Sequence, residues 1–166
     1  MSDGLEGGAG RRAGPKAVAL VGPFGSGKTT LMEAMLARTG AIPRQGAVID
    51  GTTVGDATAE ARLHRMSVEL NIAETGFMDE RIAILDCPGS IEFSQEADAA
   101  LAVADCAVVV AEADEKKVPA LQLILRELEE RGIPRFLFLN KIDRSDLDVQ
   151  AALAMLQPAS RAPLLL

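Results

Sequence analysis

Apolar residues fall into short unbroken runs separated by stretches with helical spacing, an alternation that predicts strands interleaved with helices. Ala17-Val18-Ala19-Leu20-Val21, ending at Gly22, predicts a strand buried on both faces of a parallel sheet. A helix is expected from Lys28 to about Arg38, burying Leu31, Met35 and Leu36 and stopping near Gly40. Residues Ala41 to Met66 carry no clean period and several Gly and Thr residues, and a loop that long in a compact domain is more often functional than decorative. Val68, Leu70 and Ile72 alternate with polar residues, and Ile82 to Leu85 is apolar, so a hairpin is expected with its turn around Gly76 and Asp79.

The second half repeats the scheme. Phe93 to Ala104 reads as a helix, Cys106 to Ala111 as a buried strand, and Pro119 as the start of a helix with Leu121, Ile124, Leu125 and Leu128 inward, stopped by Gly132 and Pro134. Phe136-Leu137-Phe138-Leu139 is the next strand. A helix around Leu147 to Leu156 should bury Val149, Ala152, Leu153 and Leu156, and Leu164-Leu165-Leu166 reads as the opening of a further strand. The fold class is therefore α/β: a mostly parallel sheet with helices on both faces, right-handed crossovers and one antiparallel hairpin, incomplete at the C-terminus. In such sheets ligands sit beyond the C-terminal strand ends.

Three segments follow strand ends. Gly22-Pro23-Phe24-Gly25-Ser26-Gly27-Lys28-Thr29 matches the P-loop pattern in its strand-then-helix context. Glycines let backbone N–H groups turn inward around phosphates, and Thr30 continues the helix start that adds positive dipole. Lys28 should reach the β- and γ-phosphates while the Thr29 hydroxyl ligates Mg²⁺. The competing reading is a glycine-rich turn with a surface lysine. Asp86-Cys87-Pro88-Gly89 could hold Mg²⁺ through water at Asp86 and touch a γ-phosphate through the Gly89 N–H, although Asp before Pro-Gly also simply forms turns. In Asn140-Lys141-Ile142-Asp143, the Asp143 carboxylate can accept from the N1–H and exocyclic amine of guanine, for which adenine has no matching donor pair. Asn140 would brace this loop and the Lys141 stem would lie on the base. The plain alternative is a capped turn, with Asp143 or Ser145 as N-cap of the last helix. Together the three describe a guanine-nucleotide site for GTP or GDP with Mg²⁺.

Composition narrows the partners. The chain has 166 residues, room for one domain, and a net charge of −7, which argues against a domain gripping nucleic acid mainly through its own charge, and no direct basic nucleic-acid patch is expected. Cys87 and Cys106 form neither a disulfide framework nor a metal-ligand spacing, as expected in a reducing compartment, and Cys106 reads as a small core residue. Residues 1–15, rich in Gly and without an apolar core, read as a disordered leader rather than a secretory signal, leaving 16–166 as the nucleotide-binding domain. No apolar run reaches the length of a membrane span. A soluble, cytoplasmic monomer is expected.

From Ala17 to Asp146 these motifs resemble the G domain of translational GTPases, a Ras-like P-loop fold, and most nearly elongation factor G and its paralogues. Val48-Ile49-Asp50-Gly51-Thr52-Thr53, Asp56 and Met66-Ser67-Val68 look like the family's switch I, and Asp86 to Gly89 with Phe93 and Glu96 resembles its switch II. Gly132-Ile133-Pro134-Arg135, leading to Asn140-Lys141-Ile142-Asp143-Arg144, resembles its guanine-binding strand and loop. The resemblance implies GTP hydrolysis as a conformational switch on the ribosome, in translocation or ribosome disassembly, with Ser67 as the switch I hydroxyl on Mg²⁺. It also marks departures. Ser90 stands where the family carries the water-positioning histidine, Gly25 replaces a P-loop acid and Arg65 a switch I glycine. Serine can hydrogen-bond a water but lacks the charge and reach of an imidazole. The departures point to an elongation factor G-like paralogue, with a GTP-binding regulatory module or truncated remnant that hardly turns over as the alternative. A P-loop kinase or ATPase is disfavoured by Asn140 to Asp143. His64, the lone histidine, reads as an exposed loop residue in the expected switch region rather than a substitute water-positioner. The family continues for further domains beyond this length, so a fragment or shortened product is expected.

Overall fold

A computed structural model of the chain describes residues 16–54, 70–89 and 94–165. In order, these form β1 (Lys16–Val21), α1 (Lys28–Arg38), β2 (Asn71–Phe77), β3 (Glu80–Asp86), α2 (Ser94–Val103), β4 (Cys106–Glu112), α3 (Val118–Glu130), β5 (Arg135–Asn140) and α4 (Val149–Leu156). The sheet runs β2-β3-β1-β4-β5. β2 pairs antiparallel with β3, and every other pair is parallel. Apolar runs in β1, β3 and β4 occupy its centre, and Ala19, Leu20, Ile84, Ala107, Val109 and Val110 are fully buried.

The two faces are covered unequally. On one, Ala19, Val21, Leu85, Val109 and Ala111 pack against Leu101 of α2, Leu121, Leu125 and Leu128 of α3 and Leu156 of α4. On the other, among the described residues, α1 lays Met32 and Leu36 on Leu20 and Ile84, with Leu31, Met35 and, beyond the helix, Ile42 as partly buried flanks. Phe136 and Phe138 of β5 are 67% and 40% exposed. Their neighbours Leu137 and Leu139 pack on the opposite, covered face. The strand expected at Phe136–Leu139 is thus the last in the sheet order and is buried on one face.

Three local expectations change. The hairpin turn is the pair Met78-Asp79, both at positive φ (50° and 63°), the geometry a tight two-residue turn needs, while Gly76 lies within β2 opposite Arg81. α4 is capped by Asp148, whose carboxylate accepts from Ala151 N at 2.7 Å, rather than by Asp143 or Ser145. It buries Ala152 and Leu156, while Val149 is exposed. Leu164 and Leu165 are not in a strand; Leu164 N instead donates to Gln157 Oε1 at 2.9 Å. The expected leader, Asp56, His64, Arg65, Ser67, Ser90 and Leu166 lie outside the described residues.

Candidate nucleotide-binding site

The parallel strands bring four C-terminal ends to one edge of the sheet: Leu20 lies opposite both Asp86 and Val108, and Glu112 opposite Asn140. Each end feeds a polar segment into the same crevice. Gly22 to Gly27 leaves β1 and opens α1, whose N-cap, Gly27, sits at φ 99°. A methyl group at Gly27 would collide with the Nδ2 of Asn140, so only glycine lets the loop from β1 and the loop from β5 approach this closely.

That approach is stitched by hydrogen bonds. Asn140 Nδ2 donates to the Ser26 carbonyl at 2.8 Å, and Asn140 Oδ1 accepts from Lys141 N at 2.9 Å. Lys141, in the left-handed region at φ 56°, donates from Nζ to the Gly25 carbonyl at 2.5 Å. Asn140 therefore braces both loops with one amide. Asp143 lies exposed in the short 3₁₀ turn Ile142–Arg144 that follows, and Phe24 and Thr30 are also exposed.

At the other side of the loop, Lys28 is 7% exposed and donates to the carbonyls of Gly22 at 3.0 Å and Pro23 at 3.3 Å. Burial pushes its pKa down, opposed by the charge of Asp86. Asp86 is fully buried, and burial pushes its carboxyl up against the opposing Thr29 hydrogen bond and the Lys28 charge. Burial, and then the Asp86 charge, push the adjacent Cys87 thiol up to about 12, making it an inert core thiol. Gly89 lies close over Lys28: a Cβ there would stand 2.5 Å from Nζ and 3.0 Å from Phe24 Cα. The second segment is thereby pressed onto the first.

Thr29 Oγ1 donates to Asp86 Oδ2 at 2.6 Å, while Asp86 Oδ1 and Ser26 Oγ are buried without a hydrogen-bond partner. A hydroxyl and a carboxylate with an unused buried oxygen are the donor types Mg²⁺ takes, and the pair suits a cation that completes its shell with water and phosphate oxygens. Among the described residues, no group of three or more His, Cys, Asp or Glu is gathered for a metal.

Glu112 and Lys117 also reach this crevice, although the motif pattern does not mark them. Glu112 forms an ion pair with Lys117, and its other oxygen lies 3.1 Å from Lys141 Nζ. Their signal was position: Glu112 ends a parallel strand, where ligands gather. α1 contributes Glu33, 1% exposed, which accepts from Gly46 N at 2.9 Å and Val54 N at 2.6 Å and so holds the loop after α1.

This fold and crevice define a class: a P-loop nucleotide-binding G domain on a Ras-like sheet. Residues 16–161 match the Elongation factor Tu GTP binding domain, and the chain belongs to that family. It is 44% identical over 148 residues to an elongation factor G-like protein of Synechocystis sp., covering 89% of this chain and 22% of that one. It is 37% identical over 147 residues to an elongation factor G-like protein of Mycobacterium tuberculosis, covering 88% of this chain and 20% of that one. A crystal structure of a Thermus thermophilus protein superposes with a TM-score of 0.76 at 40% identity, over 87% of this chain and 22% of that one. The chain spans about a fifth of the length of these relatives.

Proposed function

We propose that this domain binds GTP and hydrolyses it to GDP and phosphate, as the switch of an elongation factor G-like translation factor. The observation that carries this reading is the joining of two loops: Asn140 donating to the Ser26 carbonyl and Lys141 to the Gly25 carbonyl put a guanine-type loop directly against a phosphate-type loop. In this reading the backbone of Gly22, Pro23, Phe24, Gly25, Ser26 and Gly27 cradles the phosphates, with Thr30 in the first turn of the helix behind them. Lys28 leaves the Gly22 and Pro23 carbonyls to meet β- and γ-oxygens. Asp143 reads the base.

Thr29, Asp86 and, by resemblance, Ser67 would hold Mg²⁺, with Asp86 acting through water. When bound, the cation would neutralise charge on the phosphate oxygens. Catalysis then rests on Lys28 and the loop N–H groups, which stabilise charge as it develops on the γ-phosphoryl group, and on Ser90, which would orient the attacking water. The domain would act as a monomer in the cytoplasm, within a factor engaging the ribosome in translocation or disassembly. A second reading, GTP binding with little turnover, is favoured by Ser90 in place of a histidine.

The test is single-turnover hydrolysis of GTP with and without ribosomes, preceded by competition of GTP against ATP. GTP should win the competition by more than about 100-fold, and ribosomes should raise the rate. Equal affinity for ATP would overturn the guanine reading. A rate indifferent to ribosomes would overturn the switch reading and leave the binding module.

A further inference from the structure

β4 delivers Glu112 to the crevice, and the chain then turns back on itself before α3. Asp114 shapes the turn: its Oδ1 accepts from Lys116 N at 2.9 Å and its carbonyl from Lys117 N at 3.0 Å. The short 3₁₀ turn Glu115–Lys117 ends with Lys117 as the N-cap of α3. From there its side chain returns to pair with Glu112. Glu112 also pairs with Lys141, which donates to the Gly25 carbonyl, so three charged side chains from two loops form a brace beside the phosphate-type loop.

The ammonium of Lys117 has a defined position relative to that loop. A Cβ built on Gly25 would stand 3.7 Å from Lys117 Nζ, with no other non-neighbouring heavy atom of the described residues within 4 Å. Gly25 itself is at φ 70° and exposed. A cation therefore stands on the side of the loop to which a side chain at position 25 would point, and none screens it. Two ammonium groups share the single carboxylate of Glu112, leaving one net positive charge among the three beside the loop. Burial and the charge of Lys141 both push the Lys117 pKa down, so an anion beside it would relieve the crowding of like charges.

We propose that Lys117 is a further phosphate-binding residue of this site, held over Gly25 by Glu112 and donating to the polyphosphate of a guanosine di- or triphosphate. The assignment rests on the guanine-nucleotide reading of the same crevice. Glu112 is then a positioning residue: it keeps Lys117 over the loop and Lys141 against it, and it coordinates the two loops without touching nucleotide.

The experiment is a titration of the whole 166-residue chain with GTP and with GDP across a series of KCl concentrations, for the wild type, Lys117→Met, Lys117→Gln and Lys117→Arg. Both neutral variants should bind GTP and GDP about tenfold more weakly, with a shallower dependence of affinity on salt, because one charge-assisted contact is gone. Their preference for GTP over XTP should be unchanged, since the base is read elsewhere. Lys117→Arg should restore most of the affinity and the salt slope. A merely structural lysine would leave the salt slope as in the wild type. Neutral variants that bind within twofold of wild type, or a loss that arginine does not repair, would overturn the proposal while leaving the guanine reading intact. Failure of the wild type itself to bind either nucleotide would overturn both.

Discussion

In the proposed site, Asp143 is the residue on which base selectivity would turn. It stands exposed at the end of a loop whose preceding residues, Asn140 and Lys141, are tied to the Gly22–Gly27 loop, so the Asp143 turn is anchored beside that loop. An ionised carboxylate only accepts, and guanine offers two adjacent donors; an asparagine offers one acceptor and one donor, which matches xanthine. Asp143→Asn should therefore lower GTP affinity about 100-fold and raise XTP affinity by a similar factor, measured by competition against a fluorescent nucleotide. A variant that still prefers GTP would remove Asp143 from the base-reading role. The residue scale also shows what pattern alone could not reach. Asn140 could be read as a brace because it sits inside a compact motif, whereas Glu112 and Lys117 serve the same crevice through contacts that depend on how the loop after β4 turns back. The intervening Asp114 turn sets that direction, and nothing in the spacing of charges announces it.

Among the elements, α1 couples two jobs. Its first turn carries Lys28 and Thr29, and one turn further on Glu33 reaches sideways to the backbone of Gly46 and Val54. A buried carboxylate with two backbone N–H donors is a strong clamp, because each bond is charge-assisted and water is excluded. Glu33→Gln keeps the volume but replaces one acceptor with a donor facing an N–H. We expect it to cost about 2 kcal/mol in urea unfolding and to speed amide hydrogen exchange at Gly46 and Val54, with the core amides of β1 unaffected. Unchanged exchange at those two amides would rule out the clamp. The limits of α1, Lys28 to Arg38, follow directly from glycine before and after an apolar stripe, and its N-terminal placement from the strand ahead of it. Other boundaries were less legible for local physical reasons. Asp143, Ser145 and Asp148 can all cap a helix, and only Asp148 lies where the chain turns into α4 with its carboxylate over Ala151 N. The apolar run of β5 looks the same in sequence whether one face is covered or two. What decides it is the reach of the helices, a tertiary property.

At the scale of the whole molecule, the sheet order could be anticipated as mostly parallel with one antiparallel hairpin, because alternating strands and helices leave few other topologies. The uneven coverage of its faces could not. Among the described residues, three helices cover one side, while α1 and Ile42 cover part of the other, and Phe136 and Phe138 are exposed. Two aromatic side chains at alternate positions of β5 form an exposed apolar patch on a chain of net negative charge. Salts excluded from protein surfaces act most strongly on such patches. The chain should therefore leave solution at a lower ammonium sulfate concentration than its charge suggests, and the pair Phe136→Lys with Phe138→Thr should shift the precipitation midpoint upward without altering thermal unfolding by more than about 3 °C. An unmoved midpoint would mean that the rings are shielded in solution. The exposed face of β5 thus becomes a matter of phase behaviour: its phenylalanines set how much salt and how much protein one solution can hold.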